Sequence, residues 1–105
     1  MSDWREVATL DDFIETDRKY IEIDEDTPAG LFKLADGTIV AISVWCSHQN
    51  VSLMSGEVTG CEIMCPMHGA RFDLNTGKHL SPPAYRGIPT YPVKVEAGRI
   101  FVKAE

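Results

Sequence analysis

Long apolar runs are missing from this 105-residue chain. No stretch approaches the roughly 18 apolar residues that a membrane span requires, so no membrane association is expected. Positive charge is scarce: ten Lys and Arg stand against sixteen Asp and Glu, a net charge of -6. Nucleic acid is bound through basic patches, which makes it an unsuitable partner. The opening Met1-Ser-Asp-Trp-Arg-Glu has no positive segment leading into an apolar one, so no signal peptide is expected and the chain should be cytoplasmic. Low-complexity tracts, internal repeats and linkers are absent, so residues 1–105 read as one domain. Helix signals are nearly absent as well. The one candidate is about a turn from Leu10 to Glu15, with Thr9 placed to cap it. Cysteine and histidine number three each. In a reducing compartment, clustered cysteines point to metal or redox chemistry before disulfides. A chain this short buries a modest core, to which a bound metal would add stability.

The acidity is unevenly placed. Residues 1–26 hold ten acids against Arg5, Arg18 and Lys19, a net of -7, and the remaining six acids and seven bases give +1. Such a surface is either a plain solvated face or a means of steering toward a basic protein partner.

What the chain has in quantity is short β-type runs divided by turn signals. Trp4 to Thr9 is one, and "KYIEID", Lys19 to Asp24, alternates with period two. Ala29 to Leu34 and Thr38 to Val44 flank the hairpin signal Asp36-Gly37; Tyr91 to Glu96 and Arg99 to Lys103 flank Ala97-Gly98. A shorter hairpin at Thr59-Gly60 joins Glu57-Val58 to Glu62-Met64. Together these predict an all-β fold, an antiparallel sandwich or small barrel. Residues from about 46 to 86 differ: rich in Gly, Pro, Ser and His, they read as a loop-rich subdomain carried on the β-frame, where function usually sits. Trp4, Phe32, Trp45 and Phe101 read as core or near-core aromatics, Cys61 as a small buried strand residue and His79 as a loop residue.

Chemistry concentrates in "VWCSHQNVSLMSGEVTGCEIMCPMHGARFD", Val44 to Asp73. Cys46-Ser-His48 and Cys65-Pro-Met-His68 form two mixed pairs with sixteen residues between His48 and Cys65, while Cys61 belongs to neither. Thiolate and imidazole select zinc or iron–sulfur centres. A tetrahedral zinc site takes the same four ligands, although zinc fingers usually keep like ligands together. One Cys and one His per loop also suits a two-metal cluster in which one iron takes both thiolates and the other both imidazoles.

The spacing Cys46-x-His48, sixteen residues, Cys65-x-x-His68-Gly69 resembles the signature of Rieske [2Fe–2S] proteins. The resemblance continues through "CPMHGARFDLNTGKHLSPPAYRGIPTYPVKVEAGRIFV" and back through "LADGTIVAIS", covering nearly the whole chain. It implies a Rieske-type fold with one [2Fe–2S] cluster, Cys46 and Cys65 on one iron, His48 and His68 on the other. It also implies a third loop, Ser81-Pro82-Pro83, shielding the cluster. Members from respiratory and photosynthetic complexes carry a disulfide at the positions of Val51 and Met67, and hydroxyl donors at those of Ala70 and Phe72. None of these four residues supplies the feature, so the chain resembles the small ferredoxins of bacterial aromatic-ring dioxygenase systems. Fewer donors to the reduced cluster imply a potential near the lower end of the Rieske range, on the order of -150 mV.

For such a ferredoxin the resemblance implies a monomeric one-electron carrier, with no substrate chemistry of its own. Its partners would be a flavin-containing NAD(P)H-dependent reductase and a terminal Rieske oxygenase. The chain is too short for the oxygenase's mononuclear-iron domain, and only His79 remains for a facial triad. Residues expected around the histidine ligands, as docking or shielding surface, are Gln49, Asn50, Val51, Met67, Pro82 and Pro83. The first loop departs from the common Cys-Thr-His pattern with Cys46-Ser-His48-Gln49-Asn50, which alters the expected docking surface but not ligation. The competing readings are a Rieske-like small subunit of a nitrite reductase-type complex and a structural zinc module.

Overall fold

A computed structural model of the chain describes residues 4–45, 52–66, 70–81 and 87–103. These form three antiparallel sheets. In the first, β1 (Arg5–Thr9), β11 (Arg99–Val102) and β10 (Val93–Glu96) lie in that order. In the second the order is β2 (Arg18–Asp24), β3 (Thr27–Lys33), β4 (Ile39–Ser43) and β9 (Thr90–Tyr91). The third is a meander of β5 (Glu57–Thr59), β6 (Glu62–Met64), β7 (Arg71–Asp73) and β8 (His79–Ser81).

The second sheet is the middle layer, and its side-chain alternation explains the fold. Ala29, Leu31, Ile39 and Ala41 point into a core shared with Ala8, Ile100 and Val102 of the first sheet. Their neighbours Phe32 and Ile42 point into a second core with Ile63, Phe72 and Leu74 of the meander. Successive strand residues face opposite ways, so strands covered on both faces read as continuous apolar runs such as "IVAIS". β2 lies at an edge and keeps the polar–apolar alternation seen in its sequence.

The run from Tyr91 to Glu96, expected as one strand, is divided at Pro92. Proline has no N–H for a ladder and confines itself to breaks and edges. Here the break moves the chain from the second sheet, where β9 pairs with β4, to the first, where β10 pairs with β11. The predicted helical turn is a 3-10 turn, Leu10–Phe13, with Thr9 at its N-cap. The Asp12 carboxylate accepts from the Thr9 backbone N–H at 3.0 Å.

The β10–β11 hairpin turns on Ala97 and Gly98, both with positive φ, 51° and 78°. Gly98 adopts this freely, whereas Ala97 carries a Cβ in the left-handed region at a penalty of about 1 kcal/mol. Asparagine tolerates that region better and is favoured in such turns. Ala97→Asn should therefore raise stability by about 0.5 kcal/mol, read as a higher midpoint in urea with an unchanged slope.

Candidate metal centre

Segments 46–51, 67–69 and 82–86 lie outside the described residues, and on either side of each the chain forms a base closed by backbone hydrogen bonds. At the first, after β4, Val44 C=O accepts from Leu53 N–H at 2.6 Å, and Trp45 forms a bridge with Ser52. Ser52 then caps the 3-10 turn Leu53–Ser55, its Oγ accepting from Met54 N–H at 3.1 Å. At the second, between β6 and β7, Cys65 N–H donates to Ala70 C=O at 2.6 Å. At the third, after β8, Ile88 N–H donates to Gly77 C=O at 2.7 Å and Ser43 N–H to Pro89 C=O at 2.9 Å. Leu53, Cys65, Ala70 and Ile88 all belong to the core shared with the meander, so the three bases stand on one packed foundation.

Cys65 is 1% exposed, is not in a disulfide, and sits where β6 gives way to the Pro66 turn. A buried free thiol three residues from a histidine in sequence fits the Cys/His donor set of a Rieske cluster. Cys46, His48 and His68 lie outside the described residues, as do Gln49, Asn50, Val51, Met67, Pro82 and Pro83. Ala70 and Phe72 are both fully buried, with Phe72 paired across the ladder to Ile63, so their side chains contribute apolar packing and no hydroxyl.

Three sequence expectations are corrected. Cys61 is exposed and occupies the turn between β5 and β6, not a buried strand position. The tight turn takes Gly60, at φ 63°, and Cys61 for its two central residues, leaving Thr59 and Glu62 as the last ladder pair. His79 is the first residue of β8 and pairs with Phe72, so it is a strand residue. Trp45 is 48% exposed, because β4 ends two residues before it and the inward positions fall to Ile42 and Val44. Trp4 and Phe101 are half-buried, and Lys94 Nζ stands 4.9 Å and 5.5 Å from their ring centroids. Phe32 is in the core, as expected.

One residue at the first loop base carries no mark in the sequence. Arg18 of β2 reaches the carbonyls of Met54 and Gly56, thirty-six and thirty-eight residues away, at 2.9 and 2.6 Å. Its guanidinium also grips Asp17, holding that carboxyl below its ordinary value of 3.8 through the shared hydrogen bond.

Residues 3–92 match the family model of the Rieske [2Fe-2S] domain. The chain is 38% identical over 102 residues to the ferredoxin component of the naphthalene 1,2-dioxygenase/salicylate 5-hydroxylase systems of a Ralstonia species, covering 97% of this chain and 96% of that one. Its fold superposes with a TM-score of 0.87 on the ferredoxin of carbazole 1,9a-dioxygenase from Nocardioides aromaticivorans IC177, at 29% identity, covering 99% of this chain and all of the other. The TM-score is again 0.87, at 26% identity and covering 97% and 94% of the two chains, against a chain from a complex of reduced oxygenase and oxidized ferredoxin in carbazole 1,9a-dioxygenase. The chain thus belongs to the Rieske [2Fe–2S] family, among its small ferredoxins of the aromatic-ring dioxygenase type, and its cofactor is a Rieske-type [2Fe–2S] cluster.

Proposed function

We propose that this chain is a cytoplasmic, monomeric carrier that takes single electrons from an NAD(P)H-dependent flavoprotein reductase and delivers them to a terminal Rieske non-haem iron oxygenase. The observation that carries this reading is the intact set Cys46, His48, Cys65 and His68 in a chain similar over almost its full length to dioxygenase ferredoxin components. Cys46 and Cys65 hold one iron and His48 and His68 the other. The single domain divides into a β-frame and a cluster-binding part of about residues 46–86. The cluster supplies a site that accepts and releases one electron. Neutral imidazoles in place of two thiolates make electron uptake easier than in an all-Cys cluster. The protein's part is to hold those ligands on three pinned loop bases and to keep water from Cys65. Gln49, Asn50, Val51, Met67, Pro82 and Pro83 form the small, uncharged contact patch suited to a brief redox encounter. The acidic first quarter steers basic partners without forming the contact.

The test is anaerobic spectroscopy of the purified protein with a cognate-type reductase and oxygenase. NAD(P)H plus catalytic reductase should bleach the oxidised cluster, and the oxygenase should restore it. A protein reduced by dithionite but never by a reductase, or one that holds zinc and no colour, would defeat the carrier reading. A second measurement concerns the ligands. His68→Cys adds a negative thiolate, so a variant that retains its cluster should have a lower midpoint potential by voltammetry. An unchanged or higher value would remove His68 from the ligand set.

A further inference from the structure

Arg18 spends nearly all of its donor capacity on two targets. Nε and Nη2 engage both carboxylate oxygens of Asp17, at 2.9 and 3.4 Å, in a bidentate fork. Nη1 donates to Met54 C=O at 2.9 Å and Gly56 C=O at 2.6 Å. The guanidinium also lies over the Phe32 ring, 5.1 Å from its centroid. Its base is fixed in turn, since Asp17 C=O accepts from Lys33 N–H at 2.8 Å.

The two carbonyls that Arg18 holds are at the C-terminal end of the turn Leu53–Ser55. A turn of three residues has too few internal hydrogen bonds to persist alone. Here Ser52 satisfies the N-terminal end, Gly56 N–H closes onto Leu53 C=O at 2.9 Å, and Arg18 satisfies the C-terminal end. Packing allows no slack beneath. A Cβ on Gly30 would come within 2.6 Å of Met54 Sδ, and one on Gly56 within 2.6 Å of Met64 C=O. The turn therefore sits directly on the β2–β3 hairpin, held by a cation delivered from that hairpin.

We infer that Arg18 is a positioning residue for the cluster: by clamping Met54 and Gly56 it fixes the segment through which the chain bearing Cys46 and His48 returns to the frame. The link to the cluster rests on the ligand assignment given under the proposed function; the clamp itself does not.

The experiment uses the full-length protein carrying Arg18→Met or Arg18→Lys. Hydrogen exchange by mass spectrometry is read over residues 52–58, with β3 and β11 as internal references, and iron release to a chelator is timed alongside. Arg18→Met should speed exchange over 52–58 by about tenfold or more, leave the references unchanged, and shorten the iron-release half-life in step. Arg18→Lys keeps the charge with one compact donor, so it should fall between. Exchange at wild-type rate over 52–58 in both variants overturns the clamp, and so does acceleration spread equally over all three regions. Faster exchange with unchanged iron release overturns the positioning role. If Arg18→Met fails to fold, an Arg18→Lys variant indistinguishable from wild type in both readouts overturns the proposal. A wild-type protein without cluster colour defeats the carrier reading instead, and the exchange comparison still decides the clamp.

Discussion

Cys65→Ala should leave a folded, colourless protein with its iron lost. The thiol is buried at the end of β6, against the same core as Leu53, Ala70 and Phe72. Removing one sulfur from a tightly packed site takes away little volume, so the direct packing loss is about 1–2 kcal/mol. On the proposed ligand assignment the loss of one of four ligands is a far larger change, because the iron it would bind is left with an open position and no replacement donor. Iron content and visible absorbance should therefore fall to background while far-ultraviolet circular dichroism stays near wild type. Cys61 provides the matched control. It is exposed in a two-residue turn, and Cys61→Ser should keep iron, colour and potential unchanged. Full iron occupancy in Cys65→Ala, or equal losses in both variants, would overturn the assignment.

Gly77→Ala should cost more stability than alanine at any other glycine among the described residues. Gly77 has φ 77°, where a Cβ costs about 1–2 kcal/mol by itself. Its N–H donates to Asp73 C=O at 2.7 Å and its C=O accepts from Ile88 N–H at the same distance. A Cβ there would collide with the Ile88 carbonyl and come within 2.9 Å of Thr90 Cγ2. Backbone atoms cannot rotate aside as a flexible side chain can, so the third loop base must open. The expected loss is about 3 kcal/mol or more, a fall in melting temperature on the order of 12 °C or more. Gly37 separates the two causes, because it has φ 91° and a methyl added there would meet nothing within 4 Å. Gly37→Ala should cost only the conformational part, about 1 kcal/mol. Equal melting temperatures for the two variants would show that the close approach to Ile88 contributes nothing.

Much of this was legible in the sequence where the deciding physics is local. Asp36-Gly37, Thr59-Gly60 and Ala97-Gly98 each mark a hairpin because positive φ is a property of one or two residues. The proposed ligand set rests on the same locality, since tight spacing within each Cys/His pair needs only one loop. The misreadings arise where neighbours distant in the chain decide. β5 and β6 have three residues each, too few for alternation to say whether Cys61 faces inward or belongs to the turn. His79 pairs with Phe72 across an irregular register, which no period-two pattern encodes. Trp45 follows four mostly apolar residues, and its exposure depends on where β4 ends. Arg18 looks like any charge on an edge strand, and its partners appear only once the chain has folded.

The middle sheet has a consequence for how the molecule comes apart. Its two faces are walls of two different cores, one beneath the meander β5–β8 and one against the terminal strands. Neither core can be exposed without stripping a face from the same four strands, so thermal unfolding of the chain should be a single cooperative transition. On the ligand assignment proposed above, the cluster then lends its binding energy to the far sheet, and complete removal of iron should lower a single melting transition shared by all three sheets.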